Sequence, residues 1–186
     1  MALTKIRNAG LATGAVSNIK EQLVMLCDGQ DYTVSSGTYT SANITAGQAI
    51  TTSYADVSGS SISYVPPSGT TLVMYEFTFS HSFIDTDTIT HMKALIDSDE
   101  VTDQRQTIQT YGAMNEEYRH GLVIPIGGSA STATGRQATW TSAKTLKIQA
   151  RAYSSSHEAR FHTTVNWDGS GNILVRKPYL RITALG

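Results

Sequence analysis

The sequence predicts an all-β protein, an antiparallel sandwich of two sheets, on three observations. Apolar residues alternate with polar ones over several separate stretches, the period of a half-buried strand. Gly, Pro, Asn and Ser clusters punctuate those stretches at short intervals. No long helical pattern lies between them, so the strands have only each other to pack against. Composition agrees: charged residues are 16% of the 186 residues and hydrophobic ones 40%, below the globular norm of about 25% charge. Ser, Thr, Gly and Asn take the place of the missing charge, which suits strands, tight turns and contact with other subunits.

The elements follow in chain order. Residues 1–26 read as a short N-terminal arm, broken early by Gly10 and Gly14. Ser17 is placed to cap a short helix with Glu21 in its first turn and Ile19, Leu23 and Leu26 on one face. A helix this short is marginal alone, so the arm is either a disordered tail or a segment that orders against a neighbouring subunit. Residues 27–186 read as the sandwich domain. Its first part, to Ser61, is rich in Ser, Thr and Gly, with Tyr32, Tyr39, Ile44, Ile50, Tyr54 and Val57 to bury. Ile62-Ser-Tyr-Val ends at Pro66-Pro67, which must close a strand or lie at an edge. Thr71 to Phe79 sets Val73, Tyr75, Phe77 and Phe79 on one face, and Thr88 to Ile96 is the next strand. Thr107 to Met114 and Tyr118 to Ile126 follow, then a flexible loop from Gly127 to Gly135. Leu146, Ile148, Ala150 and Ala152 point inward while Lys147, Gln149 and Arg151 point outward. Phe161, Thr163, Val165 and Trp167 share a face, a turn follows at Asp168, and Leu180, Ile182 and Ala184 close the core.

Most chemistry is excluded. The net charge of −1 gives no basic field for nucleic acid or an acidic membrane. The single cysteine, Cys27, forms no intrachain disulfide and reads as a small buried hydrophobe. Met1 to Val16 lacks the apolar core of a signal peptide and no stretch is long enough to cross a bilayer as a helix, so the expectation is a soluble protein made in the cytoplasm. No Gly-x-Ser-x-Gly elbow is present, and Gly127-Gly128 lacks the Lys-Ser/Thr ending of a phosphate loop. His81, His91, His120, His157 and His162 form no two-His zinc pattern. The acidic run Asp97, Asp99, Glu100 and Asp103, with Asp85 and Asp87 nearby, has oxygen ligands for calcium but not the spacing of a helix-loop-helix site, and reads as a solvated loop. Trp140, Tyr153 and Trp167 are candidates for a sugar-binding shelf, with core packing the alternative for Trp167. The expectation is a non-enzymatic protein with no catalytic residues, cofactor or metal.

Three stretches carry a resemblance. Ala2-Leu-Thr-Lys-Ile-Arg-Asn-Ala-Gly-Leu11, Ile62-Ser-Tyr-Val-Pro-Pro-Ser-Gly-Thr-Thr-Leu-Val-Met-Tyr-Glu-Phe77, and Trp140 to Tyr153 with Lys177-Pro-Tyr-Leu-Arg-Ile-Thr183 resemble virion surface proteins of marine tailed phages. The resemblance spans about two-thirds of the chain and rests on structural motifs. It implies an antiparallel jelly-roll β-sandwich with a short N-terminal arm, similar in shape to tumour-necrosis-factor heads and assembled as a homotrimer. It also implies a virion surface location, either as a capsid decoration (cement) protein bound to the major capsid protein or another virion protein, or as a fibre tip that adsorbs to host surface glycans. No shaft repeat separates arm from head, and a 26-residue arm spans at most about 3.3–3.6 Å per residue, which favours a decoration protein seated close to the shell. The attachment residues expected in the arm are Leu3, Ile6, Leu11, Val16, Ile19 and Leu23 as apolar anchors, with Lys5 and Arg7 aiding encounter. Leu95, Tyr111 and Tyr179 are expected to face a neighbouring subunit.

Overall fold

The structure is a computed structural model that describes residues 18–83, 87–110, 114–156, 159–166 and 172–186. Among these residues sixteen strands run in order: β1 (Ile19–Leu26), β2 (Asp31–Val34), β3 (Gly37–Thr40), β4 (Gln48–Ala49), β5 (Ala55–Asp56), β6 (Ile62–Tyr64), β7 (Leu72–Phe83) and β8 (Thr88–Ile96). Then come β9 (Asp99–Glu100), β10 (Gln106–Thr110), β11 (Met114–Pro125), β12 (Lys144–Ala152), β13 (Arg160–Phe161), β14 (Thr163–Asn166), β15 (Asn172–Val175) and β16 (Tyr179–Leu185). Among the described residues the one helical element is a 3-10 turn, Thr102–Gln104.

Eight strands frame the sandwich. One sheet contains the order β1-β16-β7-β11, the other β6-β12-β8-β10, and every named pair is antiparallel. Counted among themselves, these are strands 1-8-3-6 facing 2-7-4-5. That is the two-Greek-key arrangement of a jelly roll, as the sequence led one to expect. The longest ribbon joins β7 to β11 from Leu72↔Pro125 to Phe83↔Met114.

Alternation sets the core. Val73, Tyr75, Phe77 and Phe79 of β7, Leu122 and Ile124 of β11, and Leu180, Ile182 and Ala184 of β16 all point inward. They meet Ile62 and Tyr64 of β6, Met92, Ala94 and Ile96 of β8, and Leu146, Ile148 and Ala150 of β12. Each buried Val, Leu, Ile, Phe or Met among them stabilises the fold by about 1.5–3 kcal/mol. Pro66 and Pro67 follow β6, where their missing N–H groups cost no ladder bond. Gly59 holds a φ of +84°, and a Cβ there would stand 2.9 Å from the Cys27 sulfur, so only glycine closes this loop over the core.

Residues 19–26 depart from expectation: they form strand β1, not a helix. β1 pairs with β16 from Ile19↔Leu185 to Leu26↔Tyr179. Its burial alternates, with Glu21, Leu23, Met25 inward and Gln22, Val24, Leu26 outward. The helical reading set Ile19, Leu23 and Leu26 on one face; the strand separates Leu23, in the core, from Leu26, which is exposed. The free edge of β16 supplies seven paired positions, and this tertiary demand overrides a weak local preference for helix.

The face expected for Phe161, Thr163, Val165 and Trp167 is also broken. His162, at φ +63°, turns the chain between β13 and β14, and Phe161, His162 and Thr163 are all buried. Trp167 and the turn at Asp168 lie outside the described residues.

Candidate functional site

With the apolar core between the sheets, each sheet turns its other face outward. On the first sheet, Glu76 of β7 stands between two arginines. Arg181 of β16, its register partner, donates through Nε at 2.6 Å, and Arg119 of β11 lies 3.1 Å away. The two guanidinium groups thus share one carboxylate. Around them the face is apolar: Val24 and Leu26 on β1, Tyr179 opposite Leu26 on β16, and Val123 on β11 are 38–48% exposed. β1 is the terminal strand of its sheet, so it presents exposed apolar side chains at a sheet edge, which a solitary soluble domain normally avoids.

The second sheet's outer face is polar. Lys147 and Gln149 bond Asp56 at 3.0 and 2.8 Å. Lys93 and Arg105 share Glu100 at 3.4 and 2.5 Å. Tyr54, just before β5, lies across the sheet with its ring 4.4 Å from the Lys93 ammonium and 5.3 Å from the Arg151 guanidinium. His91 is the register partner of Arg151, bonds Thr107 at 3.1 Å, and meets the Tyr153 ring edge-on at 6.4 Å. Lys93 and Arg105 thus share Glu100 and Lys147 holds Asp56, while no salt bridge joins Arg151 to a described carboxylate.

The residues singled out in the sequence scatter. Leu3, Lys5, Ile6, Arg7, Leu11 and Val16 lie outside the described residues. Leu23 is 1% exposed in the core, where it cannot also be a docking anchor, while Ile19 is half exposed. Cys27 is buried; burial first, and then the Asp28 carboxylate, push its thiol up to about 11, so it is protonated and inert near neutrality. Asp97 accepts from the Thr145 N–H at 2.8 Å and from Lys144, and Glu100 is held by its two cations. Among the described residues no group of three metal-ligating side chains comes together. His81, His120 and His162 are buried, and His157 lies outside the described residues. Trp140 is buried against Tyr64 and donates to its carbonyl at 3.2 Å, so it forms no shelf with Tyr153; Trp167 lies outside the described residues. Leu95 is 7% exposed and Tyr179 is exposed; Tyr111 lies outside the described residues. Tyr54, read as a core residue, lies instead on the outer face. The outward run Lys147, Gln149, Arg151 was legible, but the crossing of Tyr54 over two cations depends on a loop path that no local pattern encodes.

No protein-family model matches the chain, and no curated protein matches it. Among solved structures the chain is similar to a chain of the T13 particle of infectious bursal disease virus, with TM-score 0.37, 10% identity, and coverage of 85% of this chain and 36% of that one. A chain from the Gx strain of the same virus gives TM-score 0.32 and 11% identity over 90% and 38%. A chain of its VP2 subviral particle gives 0.25 and 12% over 85% and 43%. The chain spans less than half the length of these neighbours, and so weak a likeness carries no argument about function.

Proposed function

We propose that the protein is a non-enzymatic structural subunit of a virion surface, assembled as a homotrimer and seated on the major capsid protein as a decoration protein. The carrying observation is the exposed apolar edge of the first sheet, Val24 and Leu26 with Tyr179. In the free chain these groups stay in water, and a second copy of the chain is the occupant that removes them from it. Low overall charge and the resemblance of the sequence to phage surface proteins support the same reading. Residues 1–17, with Leu3, Ile6, Leu11 and Val16 beside Lys5 and Arg7, are the proposed attachment segment to the shell. They precede β1, the strand that carries the exposed edge, and their apolar side chains supply affinity while the two cations speed encounter.

Native mass spectrometry of the full chain at micromolar concentration tests the assembly. A trimer is expected, and Val24→Asp with Leu26→Asp is expected to give a folded monomer by placing unpaired charges in the contact. A wild-type monomer refutes the proposal. Copy number in purified particles separates the two virion locations: a decoration protein appears in numbers comparable to the shell subunit, a fibre tip in far fewer.

A further inference from the structure

We propose that the outer face of the second sheet is a binding site for acidic sugars, in which Arg151 takes the carboxylate of a uronic acid and Tyr153 stacks on its ring. The inference concerns this chain's own surface and holds wherever the protein is mounted.

Arg151 is the reason to look here. Its neighbours in charge are matched: Lys93 and Arg105 have Glu100, and Lys147 has Asp56. No salt bridge joins Arg151 to a described carboxylate, and with its Nε buried the donors left for a ligand are those of the two terminal nitrogens. A guanidinium presents its donors as a rigid fork that matches a carboxylate in two parallel bonds. Tyr54 covers one side of the guanidinium and limits its motion, which reduces the ordering cost when a ligand arrives.

Tyr153 supplies the second contact. It is 61% exposed, the most exposed large apolar or aromatic side chain described, and its ring is braced by His91. Residues 151 and 153 lie on one side of the same strand end, so their Cα atoms are about 6.6 Å apart at the rise of a β-strand. A pyranose whose carboxylate sits one carbon outside the ring spans that separation: ring over Tyr153, carboxylate over Arg151. Gln149, one position further along the same face and held by Asp56, and Lys93, the register partner of Gln149, continue the polar line and suit the hydroxyls of a second residue.

Charge and shape decide the ligand class. Arg151, the cation on this face with no salt bridge to a described carboxylate, attracts a ligand with one charge per sugar or per pair of sugars. One cation is too few for the dense phosphates of a nucleic acid, whose binding draws on many cations together. A neutral sugar would leave the Arg151 fork unmatched.

Isothermal titration of the full chain tests this with oligosaccharides of hyaluronan, polymannuronate and polygalacturonate. The comparison ligands are chitotetraose, a sulfated heparin tetrasaccharide and oligothymidylate. At least one uronate is expected to bind at micromolar to low millimolar concentration and tighter than every comparison ligand. Arg151→Gln is expected to weaken it tenfold or more, Tyr153→Ala about fivefold, and Arg151→Lys less than Arg151→Gln. Both positions lie on the outer face, so the variants should keep the wild-type thermal midpoint; a variant that does not is replaced by a ligand-shift map of the wild-type amide resonances, where residues 149–153 and 91–93 should move. No uronate binding at low millimolar concentration, equal binding of chitotetraose, tighter binding of oligothymidylate or heparin, or binding indifferent to Arg151→Gln would each overturn the proposal.

Discussion

The Tyr64 hydroxyl donates to the Glu21 carboxylate at 2.9 Å, inside the sandwich. Ser35 donates to the same carboxylate at 2.5 Å, and Ser36 donates through both its N–H and its hydroxyl at 2.7 Å. One side chain of β1 thus ties together β6 and the turn between β2 and β3. Burial alone would raise the carboxyl pKa of Glu21; the donors outweigh it and hold the group below its usual value. Glu21→Ala leaves these donors unpaired, and the expected loss is about 2–3 kcal/mol, or about 5–10 °C in melting temperature for a chain of this size. Tyr64→Phe removes one bond of the set and should cost less. Urea unfolding of both variants checks the order; a Glu21→Ala protein as stable as the wild type would mean the carboxylate is not held as described.

The same contact explains what was legible in the sequence. The strands that face the core on one side announced themselves: Val73 to Phe79, Leu146 to Ala152 and Leu180 to Ala184 alternate apolar residues toward the core with polar ones away from it, even where those polar residues, such as Glu76, Thr78 and Thr183, are themselves buried. β1 alternates too, but its inward set of Glu21, Leu23 and Met25 includes a carboxylate, and a buried glutamate does not read as core until its donors, 14 to 43 residues away, are known. Ser17 and Glu21 at helix-capping spacing then suggested the wrong period. The outer faces were less legible still, since an exposed Tyr on a β-face looks in sequence like a core Tyr.

Truncation separates strand from arm. Removing residues 1–17 takes away nothing from the described core and should leave the melting temperature within a few degrees of the full chain. Removing residues 1–23 deletes Glu21 and Leu23, together with the pairing of Ile19 through Leu23 to β16. A buried Leu alone is worth about 2–5 kcal/mol, a large share of a domain's total of about 5–15 kcal/mol. The longer truncation is expected to be unfolded or aggregated by circular dichroism and light scattering. A cooperative melt near the wild-type temperature would show β1 to be dispensable.

Cys27 offers a probe of native opening. Its sulfur lies 3.7 Å from the Gly59 carbonyl, its side chain is 1% exposed and its thiol is pushed up to about 11. Both burial and the scarcity of thiolate oppose alkylation. Labelling at pH 8 should be slow in buffer and fast in 6 M urea. Gly59→Ala should speed native labelling, because its Cβ would meet the Cys27 sulfur at 2.9 Å in a backbone conformation that L residues rarely adopt. Rapid native labelling of the wild type would contradict the burial of this residue.

Three buried histidines predict a steep loss of stability in mild acid. His81, His120 and His162 are at most 1% exposed. His162 packs among Phe77, Phe79 and Phe161, and His120 pairs in register with Phe77. Burial lowers each of the three from 6.5 to about 4. Above pH 6.5 the rings are neutral in both folded and unfolded chains, so they impose no pH dependence there. Below it the unfolded chain takes up protons that the folded chain refuses, and stability falls until the folded rings themselves titrate near pH 4. Each histidine contributes a slope of up to about 1.4 kcal/mol per pH unit, or about 4 kcal/mol per unit for the three together. Glu21 adds to the loss at the acid end, because its stabilisation is present above the unfolded carboxyl pKa and disappears as pH falls below it. Against a total of about 5–15 kcal/mol, the acid midpoint should lie near pH 4–5. His120→Leu and His162→Leu should each flatten the pH 6.5–4 slope by about one proton while leaving the region above pH 7 parallel to the wild type. Urea midpoints measured across pH 4–8 test the sign: a wild-type stability that stays level from pH 7 to 4.5, or that rises as the solution is acidified, would show that these rings are not buried as neutral groups.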